Sequence, residues 1–255
     1  MLRSALVLAT ATFVLAPAQA QTRPLNDTGI TFCGAYPSGN TAAPCIPNPT
    51  GQDADYGRDA AAQAGVLPKT GGGSAGFDFT KIAHDGTELP DGAALGPNPD
   101  DWACTRDNVT GLFWEVKLDD ALQMRHQSHT YTWYDPASPD GNSGAVGTTG
   151  TCNATLGLNA CNTANYVTAV NAAQLCGYSD WRMPTLKELE GIADQGRFSP
   201  AIDPDYFPNT SALQFWSGSP YVLNSSQAWL ILFNYGYANQ GSRSLAFRVR
   251  LVRGG

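Results

Sequence analysis

An amphipathic pattern between residues 163 and 176 predicts a helix. Tyr166 and Val170 recur at the spacing that places side chains on one helical face. Asn162 or Thr163 would serve as its N-terminal cap, since both side chains can accept a hydrogen bond from the backbone of the first turn. A glycine follows the pattern directly, which favours the end of the helix there.

A second helix is predicted from Thr185 onwards. Glu188 stands three residues after Thr185, and this spacing is that of a capping box. Leu189 and Ile192 continue an apolar stripe, and Gly196 is the expected end of the helix.

Apolar runs separated by polar turns predict a sheet. The runs cover residues 112–116, 215–219, 228–233 and 245–252. In the last run Phe247, Val249 and Leu251 should face one side, while Arg248 and Arg250 face the other, solvated side or a sheet edge. Two helices, a mixed or antiparallel sheet and long loops together indicate an α+β fold.

The remaining pattern divides the chain into three parts. Residues 1–20 resemble a secretory signal peptide, with cleavage before Gln21. Residues 21–100 are rich in Gly and Pro and read as a coil-like N-terminal appendage, with short strands near 30–32 and 77–79. Residues 101–255 form the main domain, which includes a long polar loop over 135–161.

Export and charge narrow the function classes. No later segment is apolar for long enough to span a bilayer, so we expect an exported protein without membrane insertion, in the periplasm, at the cell surface or outside the cell. The formal net charge is -7, and loss of Arg3 with the signal peptide makes it -8. An acidic chain does not attract nucleic acid through its overall field.

The six cysteines of an exported chain predict three disulfides, for which fifteen pairings are possible. Proximity in sequence suggests two of the bridges, and the third pair is what remains. The expected bridges are Cys33–Cys45, Cys152–Cys161 and Cys104–Cys176. On this pairing no thiol is available for catalysis.

Candidate catalytic and metal sites are weak. The chain contains no nucleophile elbow, zinc-protease motif or phosphate loop, and we assign no catalytic residue and no cofactor. Asp135, Asp140 and Asn142 lie in a glycine-rich loop and are weak candidates for calcium ligands, without the spacing of a known calcium loop. Asp53, Asp55 and Asp59 are weaker candidates on the same grounds, and His126 and His129 lack a third ligand for zinc.

The segment 216–243 has the composition of a binding surface. More than half of its residues are Trp, Tyr, Ser, Asn or Gly, which supply rigid aromatic faces and adaptable polar groups. We expect Trp216 and Trp229 to lie in the core. The residues expected to reach solvent and bind a ligand are Tyr221, Tyr235, Tyr237, Asn239 and Arg243. Aromatic faces of this kind stack on sugar rings, so the expected partner is a glycan or another cell-surface polymer.

Several segments resemble the family named for the C-terminal domain of the collagen-like adhesin Lcl. They include DNVTGLFWEVK, HTYTWYDP, YSDWRMPTLKELEGI, PAIDPDYFPNT and FRVRLVRGG, and the resemblance covers residues 104–255, with TGQDADYGRDAA as an upstream piece. The resemblance implies a C-type-lectin-like fold. It also implies a possible homo-oligomer, because the best-known member is a trimeric adhesin of sulfated glycans.

Sulfate binding by an acidic chain would need a local basic patch. The dense candidates are Arg243, Arg248, Arg250 and Arg253. The motifs of calcium-dependent sugar binding are absent from the sequence. Two alternatives stay open beside glycan recognition: a structural or assembly module of the envelope or of a surface fibre, and an enzyme on a fold like that of the formylglycine-generating enzymes.

Overall fold

Two five-stranded sheets carry the fold in this computed structural model, which describes residues 24–46 and 51–254. The predicted signal peptide lies outside the described residues. The strands are β1 (Phe32–Gly34), β2 (Asn40–Ala42), β3 (Phe79–Ala83), β4 (Glu88–Leu89), β5 (Trp102–Asp107), β6 (Phe113–Glu115), β7 (Tyr131–Thr132), β8 (Gln214–Pro220), β9 (Gln227–Leu232), β10 (Tyr237–Ser242), β11 (Ala246–Val249) and β12 (Val252–Arg253). The α-helices are α1 (Gly57–Gln63), α2 (Asn153–Leu156), α3 (Thr163–Ala172) and α4 (Leu186–Glu190).

The strand order is β10-β9-β8-β11-β7 in one sheet and β12-β6-β5-β3-β4 in the other. All neighbours are antiparallel except β11 and β8, which run parallel with Arg248 opposite Phe215. Helices combined with mostly antiparallel sheets make this an α+β fold, as predicted. Its further description as C-type-lectin-like stays a prediction.

The last apolar run forms two strands instead of one. β11 belongs to the first sheet, whereas β12 pairs with β6 in the second, with Val252 opposite Trp114. The chain crosses from sheet to sheet at Arg250 and Leu251, and both residues are buried. The prediction of a solvated face for Arg250 is therefore wrong, because sheet and core cover both sides of the crossing.

The second sheet extends across the predicted boundary at residue 100. β3 and β4 come from the predicted appendage, yet β3 pairs with β5 over five residue pairs. Phe77 and Phe79 are buried in the same core cluster as Trp114 and Phe207. Residues from about 77 onwards therefore pack as part of the main domain.

The two predicted helices form, and both end earlier than expected. The side chain of Asn162 caps α3 by accepting from the backbone N–H of Asn165. α3 ends at Ala172, because Gln174 and Cys176 adopt left-handed backbone angles, with φ of 50° and 54°. The predicted capping box of α4 is present, but this helix ends before Gly191 and not at Gly196.

The coil predicted for the appendage is wrong at one place. Residues 57–63 form α1, whose sequence GRDAAAQ contains three consecutive alanines, the residue with the highest helix propensity. Its one fully buried side chain is Asp59, which accepts hydrogen bonds from the backbone N–H groups of Gly29 and Gly76. The high helix propensity of the alanines and the buried hydrogen bonds of Asp59 together explain why a helix forms in this turn-rich region.

All six cysteines form the three predicted disulfides, Cys33–Cys45, Cys104–Cys176 and Cys152–Cys161. Cys104 belongs to β5, and Cys176 follows the end of α3. The bridge therefore joins the second sheet to the corner between α3 and α4. No helix among the described residues is long and apolar enough to cross a membrane.

Candidate functional site

The turn between β9 and β10 presents two aromatic side chains to solvent. Tyr235 is 62% exposed and Tyr237 is 45% exposed. Gly236 between them has φ of +73° and packs closely, since an added Cβ would lie 2.9 Å from the Gln195 side chain. The Gln195 side chain also donates to the carbonyl of Gly236 at 2.7 Å, which anchors the turn and places both tyrosines at one end of the first sheet.

A neighbouring loop adds a third aromatic ring to this end of the sheet. The backbone N–H of Ser199 donates to the carbonyl of Asn234 at 2.8 Å, and that of Ala201 donates to the carbonyl of Phe233 at 2.6 Å. These bonds tie the segment 197–201 to the β9–β10 turn, and Phe198 projects from it with 75% exposure. We name Phe198, Tyr235 and Tyr237 together the aromatic tip.

Asn239 is exposed and extends the surface of the aromatic tip along β10. It lies two residues after Tyr237, so the two side chains share one face of the strand. Asn239 and its polar neighbour Gln240 lie on the edge strand of the sheet. Amide side chains can both donate and accept hydrogen bonds, as recognition of hydroxyl groups requires.

Tyr221 does not join the aromatic tip. Its ring packs edge-on against Trp229 at a centroid distance of 5.0 Å, and both side chains are partly buried. Trp229 pairs with Gln240, so it lies on the sheet face opposite to Asn239. Trp216 is fully buried as predicted, whereas the prediction that Trp229 belongs to the core is wrong.

The prediction that Arg243 reaches solvent is wrong, because its side chain is only 2% exposed. Its guanidinium stacks on Trp133 at 4.0 Å from the ring centroid and forms an ion pair with Asp140. It also donates to the carbonyl of Asn142. Arg243 therefore anchors the long polar loop to the first sheet and is not available to a ligand.

The weak calcium candidates are already hydrogen-bonded within this loop. The carboxylate of Asp140 accepts hydrogen bonds from Arg243. These bonds are the main reason why the pKa of Asp140 is lowered to about 2. Asp135 accepts from the backbone N–H of Ala137 at 2.9 Å, and Asn142 accepts from that of Gly144. The guanidinium thus supplies the positive charge beside Asp140.

Arg250, another arginine of the expected basic patch, belongs to a network of buried charges in the core. Arg250 donates to the carbonyl of Glu115 at 2.6 Å, and the carboxylate of Glu115 accepts from Lys117 and from the hydroxyl of Tyr166. Burial lowers the pKa of Lys117 to about 8, although the neighbouring Glu115 acts to raise it. The network is internal and leaves Arg250 unavailable to a ligand.

The other two arginines are also engaged. Arg253 forms two hydrogen bonds of 2.9 Å with Asp180 and stacks on Tyr178. Arg248 is partly buried and donates to the carbonyl of Gln127. The four arginines therefore do not form an exposed basic patch, because two are buried and two are paired or partly covered.

Sequence reasoning missed Phe198. The residue stands alone in the polar turn QGRFSP, and a large apolar side chain in such a turn lacks a periodic neighbour to pack against. This isolation was the one sign in the sequence that the side chain of Phe198 is exposed. Its position near the β9–β10 turn depends on backbone bonds between segments distant in sequence, which no local pattern predicts.

These features define an α+β domain with an exposed aromatic tip and all its cysteines in disulfides. The Lcl C-terminal domain family matches residues 103–253, more than half of the chain, and the chain belongs to this family. No curated protein and no solved structure is similar enough to count as a match.

Proposed function

We propose that this protein is an exported, non-enzymatic recognition domain that binds a glycan or another surface polymer through the aromatic tip. The observation that carries the proposal is the exposure of three aromatic rings on two segments joined by backbone hydrogen bonds. Exposed aromatic rings on a fixed backbone provide contact area at little entropic cost. The three disulfides support export, since they persist in oxidising compartments.

A glycan fits the chemistry of this surface. The C–H face of a sugar ring is apolar and stacks on aromatic rings, while its hydroxyl groups form hydrogen bonds with amide side chains. Asn239 offers such an amide on the same strand face as Tyr237. The acidic net charge and the internal bonding of the arginines favour an uncharged glycan over a sulfated one.

The pairing of all six cysteines supports a non-enzymatic function. Catalysis of the formylglycine-generating type depends on reactive thiols, and the native chain offers none. Titration of the folded protein with a thiol reagent should therefore find no free thiol. Detection of one or more would revive the enzymatic alternative.

The edge strand β10 favours a second candidate function, that of an assembly module. β10 pairs with β9 on one side only among the described strands, and an unpaired strand edge can add a strand from another chain. In that case the aromatic tip would contact protein. A stable oligomer in size-exclusion chromatography whose cross-links include residues 235–242 would support this second function.

An array of neutral and sulfated glycans, with immobilised envelope polymers, tests the proposed function. The mature protein should bind at least one neutral glycan. The triple variant Phe198→Ala, Tyr235→Ala and Tyr237→Ala should keep its fold and lose this signal. Equal signals from the variant and the natural chain would exclude the aromatic tip as the binding surface.

A further inference from the structure

A concave surface, distinct from the aromatic tip, lies beside the loop that carries Phe198. This polar pocket has a volume of about 530 Å³, and its charged lining residues are Lys81, Asp91, Arg197, Asp203 and Asp205. Its wall is closely packed, since a Cβ on Gly72 would lie 2.1 Å from the hydroxyl oxygen of Tyr206. The pocket combines residues from the predicted appendage with residues of the family domain.

Lys81 on β3 is the one buried cation in the lining of this pocket. The residue is 8% exposed, and its Nζ lies 4.0 Å from the ring centroid of Trp102 and 5.8 Å from that of Tyr206. Within the described parts of the chain, Lys81 Nζ contacts these rings but has no hydrogen bond and no carboxylate oxygen within 4.0 Å. The stem of Lys81 is buried, whereas its ammonium borders the pocket, where water or a ligand can accept its hydrogen bonds.

Two of the three carboxylates of the pocket are exposed, and the third is buried. Asp91 and Asp205 are exposed, and Asp91 accepts from the hydroxyl of Tyr206 at 2.8 Å. Asp203 is buried and bonded to the backbone N–H of Ser74 at 2.7 Å. The charge of Arg197 is matched by Asp194 at 3.0 Å. The pocket thus has a cation in its wall and an excess of negative charge at its rim.

We infer that the polar pocket binds a small zwitterion, a molecule that carries a carboxylate and an ammonium group. The carboxylate would accept from Lys81 Nζ, and the ammonium would lie against Asp91 and Asp205. A neutral sugar could satisfy Lys81 with a hydroxyl but would leave the opposed charges uncompensated, whereas a zwitterion compensates both. This site is separate from the aromatic tip and goes beyond the proposed function.

The titration of Lys81 agrees with this assignment. Burial lowers the pKa of its ammonium, and Asp91 and Asp205 act in the opposite direction without restoring it. The chain's own carboxylates therefore offset only part of the cost of burying this charge. Binding sites commonly retain such a cost, which a ligand removes.

Isothermal titration of the mature protein tests the site with defined probes. They are glycine, β-alanine, 4-aminobutyrate and 6-aminohexanoate, in which the two charges lie progressively further apart. Propionate, propylamine and glucose serve as controls with one charge or none. At least one zwitterion should bind saturably and at least about tenfold more tightly than every control.

Variants assign the binding to the pocket. Lys81→Met keeps the length and apolar stem of the side chain and should weaken zwitterion binding at least about tenfold. Lys187→Met, at an exposed lysine on α4, is the matched control and should leave the affinity unchanged. If Lys81→Met does not fold, the exposed pair Asp91→Asn and Asp205→Asn provides the same test.

Three results would overturn the inference: no zwitterion binds, a single-charge compound or glucose binds as tightly, or Lys81→Met retains the natural affinity. None of these results bears on the aromatic tip, because the pocket variants leave Phe198, Tyr235 and Tyr237 in place. Loss of glycan binding by the tip variants would likewise leave zwitterion binding intact.

Discussion

The backbone N–H of Ser199 donates a 2.8 Å hydrogen bond to the carbonyl of Asn234. Each of these residues adjoins an exposed aromatic residue, Phe198 on one side and Tyr235 on the other. The bond therefore brings together two segments that are distant in sequence and that each carry an exposed ring. Because backbone groups form it, side-chain substitutions in the aromatic tip should remove rings without moving the loops.

The long-range disulfide should stabilise the domain more than the short ones. In the chain-entropy account, stabilisation grows with the length of the closed loop, and Cys104–Cys176 spans 72 residues against 12 for Cys33–Cys45. Replacing Cys104 and Cys176 by alanine should lower the free energy of unfolding by about 4 kcal/mol. Urea denaturation, after mass mapping of the bridges, measures this loss.

Removal of Cys33–Cys45 is the matched control for this experiment. Replacing that pair by alanine should lower the free energy of unfolding by about 3 kcal/mol. A long-range variant as stable as the natural protein, or mapping that links Cys176 elsewhere, would contradict the stabilising role of the Cys104–Cys176 bridge.

The buried network around Glu115 should respond strongly to loss of its carboxylate. Glu115→Gln removes the partner of Lys117 and weakens the bond from Tyr166, which leaves cations buried without compensation. The expected loss is about 3–5 kcal/mol in chemical denaturation. Glu88→Gln, at the exposed ion pair with Arg106, should cost less than about 1 kcal/mol. Equal effects of the two changes would contradict the internal role of the network.

The ion pair of Asp140 with Arg243 predicts a contribution to stability that depends on pH. The pKa of Asp140 falls from 3.8 to about 2 on folding, mainly through its hydrogen bonds with Arg243. The folded chain then binds this proton more weakly than the unfolded chain, so the contribution is complete above 3.8 and is lost as the pH falls towards 2.

Asp140→Asn should remove that dependence. The difference in urea midpoint between the natural chain and the variant should be largest near about pH 6 and shrink towards about pH 2.5. Asp100→Asn, at an exposed position, is the control and should show no such trend. A constant difference across this range would contradict the pairing of Asp140 with Arg243.

The capping box of α4 should make a local contribution. Thr185 accepts from the backbone N–H of Glu188 at 3.2 Å, and Glu188 accepts from that of Thr185 at 2.8 Å. Thr185→Ala should cost about 1 kcal/mol in thermal or chemical denaturation. Thr168→Ala, on the exposed face of α3, should not destabilise the protein, and an equal loss there would argue against a capping effect.

Sequence patterns predicted the elements whose signals are local. The capping box at Thr185, the cap at Asn162 and the runs that became β6, β8 and β9 all depend on neighbouring residues. The C-terminal end of α3 could not be predicted, because it follows from the left-handed backbone at Gln174 and Cys176 beside a disulfide to β5.

The environments of the arginines could not be predicted from alternation alone. A charged residue on every second position of a strand usually marks a solvated face. Arg250 breaks this rule because the chain changes sheets there, and Arg243 because the distant Asp140 and Trp133 cover it. Buried partners far away in sequence, and not local composition, decided which predicted binding residues remain exposed.

The affinity of the double variant Tyr235→Ala and Tyr237→Ala tests the central claim most directly. Titration of the neutral glycan found on the array should show at least about tenfold weaker binding than the natural chain, with the unfolding midpoint unchanged because both rings are exposed. Tyr36→Ala, at a 99% exposed tyrosine outside the aromatic tip, should bind normally. Unchanged affinity of the folded double variant would contradict recognition through the aromatic tip.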